Sequence, residues 1–395
     1  MTNPDACPKI ALAADTKPAA VRGRPWVFAN QLKMTAETRA LPPGSVVRLM
    51  EPDGRLLGLY HFNPHSLIAA RLLTRNHSRA IDARFFTEKL TRALSLRERL
   101  FDAPCYRLVH GEGDGLPGLI VDRYGDVLVV QPNTAGMDAS LDLIVAALES
   151  LVKPAGIAVV ADGPARAQEG LAPRAEVLVG AVASPVPLVE NGITYLADPI
   201  GGQKTGWFYD HRLNRAFAAG LARGQSVLDL YTYAGAFALA CAQGGAAQVT
   251  AVDRSAPALA LAAEAAARNG WADRVTTETA EVFGWLENNN RTFGLVVADP
   301  PAFAKTRKDI SAALKGYEKL ARLSTAKVAP EGFLCLASCS HHVAPEAFLD
   351  ACAAGIRAGG RSARLIHQAG AGPDHPVHPQ LPQTAYLKFL AFALD

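Results

Sequence analysis

Through PPGSVVRLMEPDGRLLGLYHF, apolar and polar positions alternate on either side of Asp53-Gly54. Alternation around an Asp-Gly pair predicts two strands joined by a tight turn. IDARFFTEKLTRALSLRERL has an apolar stripe with basic residues between, which predicts an amphipathic helix. GLIVDRYGDVLVVQ predicts a hairpin turning at Tyr124-Gly125-Asp126, SLDLIVAALESLV a helix, and VPLVENGITYLADP a hairpin at Asn191-Gly192. Beyond about Gly224 the pattern changes. SVLDL, QVTAVD, RVTTETA, LVVADPP and FLCLASCS are strand-like, with helix-like segments between them. This alternation predicts a parallel, doubly wound sheet, to which RSARLIHQAG and TAYLKFLAFAL add two further strands, making seven. The expected division is three regions, 1–78, 79–190 and 191–395, with no internal repeat.

Composition narrows the class without naming a function. The chain has 395 residues, 49% of them hydrophobic and 19% charged, which suits folded domains with proper cores. Its net charge of +3, from 40 basic and 37 acidic residues, permits a local basic patch and does not announce a nucleic-acid binder. The N-terminus lacks a secretory signal, and no run of about 18 apolar residues suggests a membrane span. Cys7, Cys105, Cys241, Cys335, Cys339 and Cys352 are scattered without a Cys-x-x-Cys pair, against zinc ribbons and disulfide frameworks. The expectation is a reducing, cytoplasmic protein with no metal and no membrane partner.

In doubly wound sheets, ligands bind beyond the carboxyl ends of the strands, where strand order reverses. The first such strand here is Val227-Leu228-Asp229-Leu230, followed by Tyr231-Thr232-Tyr233-Ala234-Gly235 and a helix. The second ends in Asp253, 24 residues after Asp229, where a carboxylate can accept both hydroxyls of a ribose. A dinucleotide site would need Gly-x-Gly-x-x-Gly to let the backbone approach a pyrophosphate. One glycine and two tyrosines suit a ligand without phosphates, such as S-adenosylmethionine, whose cationic end Asp229 complements. The competing reading is an ordinary βαβ unit with Asp253 as a helix cap. Seven strands with a late hairpin resemble the class I methyltransferase variant of the Rossmann architecture.

Two strand ends carry the candidate chemistry. One is Asp299-Pro300-Pro301-Ala302-Phe303, a stiff turn because each proline fixes its φ. It offers a carboxylate and carbonyls to a planar, amine-bearing base, on which Phe303 is placed to stack. The other is Ser338-Cys339-Ser340. Carbon-5 of cytosine is a poor nucleophile until a thiolate adds to carbon-6, and Cys339 is the thiol placed for that step. Asp299 would stabilise the protonation this requires. The bland alternative is a buried strand cysteine, as expected for Cys335.

At these residues the chain resembles the RlmI-like family of large-subunit ribosomal RNA methyltransferases, which act on cytosine carbon-5. The resemblance spans nearly the whole chain. It is carried by Arg22-Gly-Arg-Pro-Trp-Val-Phe, Gly111-Glu-Gly-Asp-Gly-Leu-Pro-Gly-Leu, Gly202-Gln-Lys-Thr-Gly-Trp-Phe-Tyr-Asp-His-Arg, Asp229-Leu-Tyr-Thr-Tyr-Ala-Gly, Asp299-Pro-Pro-Ala-Phe, Ser338-Cys-Ser and Asp374-His-Pro. It implies an N-terminal PUA-like RNA-binding β domain, a central strand–strand–helix–strand–strand domain and the catalytic domain, acting on ribosomal RNA, as a homodimer. On this reading Arg22 and Arg24 contact RNA. Lys204, Thr205, Gly206 and Phe208 close over the cofactor, and Asp210 and Arg212 hold that segment. There are departures. Ala280-Glu281-Val282-Phe283 stands where the family has an aspartate before Val-Phe, so Glu281 takes over its contact with the adenine. Gly294 replaces an acidic residue. His341 and His342 follow Cys339 and are placed to assist it or to lie on the surface. Two other functions compete: a base amino-group or guanine methyltransferase without covalent catalysis, and a non-catalytic RNA-binding assembly factor. An NAD-dependent oxidoreductase is disfavoured by the missing glycines.

Overall fold

The computed structural model describes residues 6–202 and 205–395. The chain forms two compact units. The first takes residues up to Ser184, with Asp198–Trp207 and Pro373–Pro382; the second takes Pro185–Ala197, Phe208–Gly372 and Gln383–Asp395.

The first unit holds two five-stranded sheets. One is built from β1 (Lys9–Ala11), β2 (Trp26–Val27), β3 (Ser45–Met50), β4 (Leu56–Phe62) and β5 (Ala70–Thr74), in the order β1-β3-β4-β5-β2. The Asp53-Gly54 turn joins β3 to β4, with Gly54 at φ 91°. Val47, Leu49, Tyr60 and Phe62 bury one face of this sheet with Ile10 and Val27. The other sheet has β6 (Cys105–His110), β7 (Leu119–Tyr124), β8 (Val127–Pro132), β9 (Gly156–Ala161) and β10 (Arg174–Gly180), in the order β10-β9-β8-β7-β6. Three strands thus precede the Leu141–Val152 helix and two follow it, one strand more than the strand–strand–helix–strand–strand domain that the resemblance implies. The expected amphipathic helix is Ala83–Leu100, which starts where Asp82 accepts a hydrogen bond from Phe85 N at 2.9 Å and buries Phe85, Phe86, Leu90 and Ala93.

A charged joint ties the two sheets of this unit. Arg71 lies 3.2 Å from both Glu112 and Glu169. Glu169 also accepts from Ser66 Oγ at 2.9 Å and Asn63 Nδ2 at 2.9 Å, and Glu112 accepts from Trp26 Nε1 at 2.7 Å.

The second unit begins with a hairpin of β11 (Val186–Glu190) and β12 (Ile193–Ala197), whose turn has Asn191 at φ 52° and Gly192 at φ 79°. The residue-191 boundary read from the sequence falls in this turn. Its main sheet comprises β13 (Ser226–Leu230), β14 (Gln248–Asp253), β15 (Val275–Thr279), β16 (Phe293–Ala298), β17 (Val328–Ser338), β18 (Ala363–Ala369) and β19 (Lys388–Leu394). Their order is β15-β14-β13-β16-β17-β19-β18; β19 runs antiparallel to both neighbours and the rest pair in parallel. Both faces are covered, so the strands read as continuous apolar runs. Leu228, Leu230 and Val296 pack towards Tyr317 and Phe348, while Val227, Leu295 and Val297 pack towards Phe237 and Ala238. Strand order reverses at β13, which places the switch point at its carboxyl end. Among the described residues no helix is long and apolar enough to cross a membrane.

Candidate active site

The loop after β13 is held in a shape that few side chains adopt. Tyr231, Tyr233 and Gly235 have φ of 61°, 51° and 78°. Left-handed conformations at two tyrosines cost about 1–3 kcal/mol each and persist only when neighbours impose them. The neighbours here are backbone ties between strand ends. Thr232 N donates to Val252 O at 3.1 Å, Tyr233 N to Asp253 Oδ2 at 2.9 Å, and Asp299 N to Leu230 O at 3.3 Å. Asp253 also accepts from Ser255 N at 2.8 Å, so its carboxylate ties the turn before the next helix as well as holding the loop.

Asp229 sits at the floor of this loop and is 1% exposed. Its Oδ2 accepts from Thr232 Oγ1 at 2.5 Å and Ala238 N at 2.8 Å, while the buried Oδ1 has no hydrogen-bond partner. Burial pushes its carboxyl up to about 7, against the two hydrogen bonds and with help from the Asp299 and Asp253 charges. A buried carboxylate with one orphaned oxygen is completed by a cationic ligand. That free oxygen is an acceptor suited to an ammonium such as that of S-adenosylmethionine, and on the loop above it Tyr233 meets Phe208 edge to face, with ring centroids 5.6 Å apart.

At the end of β16, Asp299 Oδ2 lies 3.3 Å from Nε2 of His211, a buried residue. Asn214 Nδ2 donates to Gly370 O at 3.2 Å and faces His211 Nδ1 at 3.1 Å. An amide donor on Nδ1 leaves the ring proton on Nε2, directed at Asp299. His211 belongs to the Tyr-Asp-His-Arg run quoted above, yet the sequence reading gave it no role. Farther along the same loop, Phe303 stacks on Tyr317 with centroids 4.7 Å apart and lies near Phe283. One of its faces is thus already used. Pro300 is buried and Pro301 exposed.

Cys339 stands one residue beyond β17 and is partly exposed, whereas the other five cysteines are buried. Burial drives the Cys335 thiol up to about 12 and pushes Cys241 and Cys352 up too, which suits inert core thiols. A hydroxyl ring frames the Cys339 turn. Ser338 Oγ donates to Tyr317 Oη at 2.8 Å, Tyr317 Oη meets Ser340 Oγ at 2.8 Å, and Ser340 Oγ accepts from Ala304 N at 3.2 Å. That last bond joins the cysteine turn to the Asp299–Ala304 loop. From β19, Lys388 Nζ donates to Ser340 O at 2.6 Å and Val343 O at 3.1 Å. Neither Tyr317 nor Lys388 was singled out in the sequence, although a lysine opening the apolar run KFLAFAL was a visible signal.

The remaining expected residues are more dispersed. Glu281 is exposed and caps the following helix, accepting from Gly284 N at 3.0 Å. His341 and His342 are exposed, with His341 stacked on Tyr386 at 4.9 Å. Asp210 accepts from Tyr386 Oη at 2.5 Å, and Arg212 lies 3.8 Å from Glu190. Lys204 lies outside the described residues. Thr205 and Gly206 belong to the first unit, where Thr205 Oγ1 donates to Asp122 at 2.6 Å and Gly206 has φ 92°. Arg22 pairs with Glu51 through two bonds of 2.7 and 2.6 Å; Arg24 is exposed.

Sheet order, phosphate-free loop and buried switch-point carboxylate define a class I methyltransferase that uses S-adenosylmethionine. Residues 106–393 match the family described as S-adenosylmethionine-dependent methyltransferase, and residues 10–75 match a PUA-like domain. A relative from Shewanella denitrificans, called ribosomal RNA large subunit methyltransferase I, is 35% identical over 390 residues, covering 97% of this chain and 98% of its own. Another of that name, from Alteromonas mediterranea, is 35% identical over 377 residues, covering 93% and 94%. The chain belongs to the ribosomal RNA large subunit methyltransferase I family. A solved structure from Streptococcus mutans shares the fold, with a TM-score of 0.81 at 21% identity over 98% of this chain and 100% of its own. A second solved structure, complexed with SAH, superposes with a TM-score of 0.82 at 21% identity over the same shares of the two chains.

Proposed function

We propose that this protein methylates carbon-5 of a cytosine in large-subunit ribosomal RNA, with Cys339 as nucleophile. The observation that carries the reading is the part-exposed Cys339 turn, hydrogen-bonded to the Asp299 loop at the switch-point end of the sheet. The relatives' name supports the RNA class, and the PUA-like sheet supports an RNA-binding role for residues 1–78, with Arg24 the more available of its two expected arginines. A ribosomal substrate places the work in the cytoplasm.

The bound S-adenosylmethionine supplies an electrophilic methyl group. Asp229 would hold its cationic end and Asp253 its ribose hydroxyls, while Asp253 keeps the Tyr231–Gly235 loop shaped through Tyr233 N. The cytosine must leave its stack for a thiol and a methyl donor to reach it together. Asp299, steadied by His211, orients the amine edge, with Pro300 and Pro301 stiffening the turn and Phe303 backed by Tyr317. The Cys339 thiolate bonds to carbon-6, which makes carbon-5 nucleophilic towards the methyl group. Loss of the carbon-5 proton to a base then restores the carbon-5–carbon-6 double bond and expels the thiolate.

Cys339→Ala is expected to abolish turnover and leave cofactor affinity nearly unchanged. Wild-type protein should form a covalent adduct with RNA bearing 5-fluorocytosine at the target, and the variant none. Mass spectrometry of the product nucleosides decides the atom. An N-methylated base, or near-normal turnover by Cys339→Ala, replaces this reading with an amino-group methyltransferase.

A further inference from the structure

Lys388 is a cation in an unusual place. It opens β19, a strand buried along its whole length, and lies opposite Ser338 in the register with β17. The residue is only 6% exposed. Two of the three ammonium N–H groups go to Ser340 O and Val343 O, on the far side of Cys339 from the strand. The ammonium therefore straps the turn that carries the thiol. Among the described residues, no carboxylate forms an ion pair with it. A buried charge without a counter-ion is costly and is kept where an opposite charge appears.

The geometry points to Lys388 as a positioning residue that holds the Cys339 turn and serves as counter-ion to the Cys339 thiolate. This rests on the nucleophile assigned above. The thiol gives its proton to solvent, and the ammonium favours the charged sulfur that remains. The electrostatics run in the same direction. Burial lowers the Lys388 ammonium to about 8, and the opposing influence is the charge of Cys339. Coupling of this kind is mutual, so a lysine stabilised by the thiolate stabilises it in return. Other titratable groups stand on the surrounding elements. Tyr317 comes from the Ile310–Thr325 helix, Asp299 follows β16, and His341 and His342 are on the turn itself. Asp299 would work against ionisation of the thiol. Both histidines are exposed, where solvent screens them.

The test is the pH dependence of iodoacetamide alkylation at Cys339, followed by peptide mass spectrometry on the full-length protein. Lys388→Gln keeps amide donors for the two carbonyls but removes the charge, and Lys388→Arg restores it. The alkylation midpoint should rise by about one pH unit or more in Lys388→Gln, the usual scale for losing a close opposite charge, and return towards wild type in Lys388→Arg. An unchanged midpoint in folded Lys388→Gln overturns the proposal and leaves a strap only. If that variant does not fold, the wild type still decides: its native midpoint must lie below that of the same protein in urea, and coincidence of the two overturns the counter-ion role. Alkylation reads ionisation alone. Failure of Cys339 as nucleophile would appear separately, as turnover by Cys339→Ala.

Discussion

Asp229 shows how a single residue sets function against stability. Its carboxyl is raised from an ordinary 3.8 to about 7, chiefly by burial. The folded, ligand-free protein therefore binds a proton more tightly there than the unfolded chain does. The associated stability is complete below pH 3.8 and is lost as the pH rises through about 7. Asp229→Asn should accordingly melt higher than wild type at pH 8 without ligand. Cofactor affinity should move the opposite way. If, as proposed, the ionised form pairs with the cofactor ammonium, wild-type affinity should increase from pH 6 to 8, and Asp229→Asn should lose about 1.5–3 kcal/mol of it. Titration calorimetry across that range checks both statements; a flat pH profile would remove Asp229 from contact with the cationic end.

At the scale of elements, the Tyr231–Gly235 loop depends on how closely it meets the next two helices. A Cβ on Gly235 would lie 2.6 Å from Leu239 Cδ1 and 2.7 Å from Ala262 Cβ, at a φ of 78° that disfavours any side chain. Gly235→Ala should lower unfolding stability by about 1–3 kcal/mol and weaken cofactor binding with it, measured by urea denaturation with and without S-adenosylmethionine. Much of this architecture was legible beforehand, because a buried parallel sheet writes itself as apolar runs separated by helical periods. Asp229, Asp253, Asp299 and Cys339 could be singled out as candidates because each lies at or beside the end of such a run. What stayed hidden were partners from distant segments. His211 meets Asp299 88 residues on, and Lys388 meets Ser340 from a strand that returns antiparallel. No local period encodes those encounters. The helix-cap reading of Asp253 does not hold, since Ser255 is the cap of the next helix and accepts from Ala258 N. Instead the Asp253 carboxylate accepts from Tyr233 N and Ser255 N, tying the loop to the turn that precedes that helix.

For the whole molecule, the Arg71 joint makes the N-terminal sheet part of the first unit's stability. Removing the guanidinium leaves Glu112 and Glu169 facing each other's surroundings without their common cation. Arg71→Ala should cost about 3–5 kcal/mol in chemical denaturation, the range for breaking a buried ion pair from one side. A loss below 1 kcal/mol would mean solvent or other donors satisfy both acids. For the same reason, deletion of residues 1–78 also removes Arg71 and with it this joint. The chain also passes between its two units five times, after Ser184, Ala197, Trp207, Gly372 and Pro382. Arg97 donates to Asp374 O at 2.8 Å and Arg107 N to Asp374 Oδ2 at 3.1 Å, both within the first unit. During synthesis, these two arginines, one on the Ala83–Leu100 helix and one on β6, emerge from the ribosome more than 250 residues before their acceptor. The first unit can collapse early, but it must wait for almost the entire chain before its last hydrogen bonds close, and a nascent chain stalled before Pro373 would leave it unfinished.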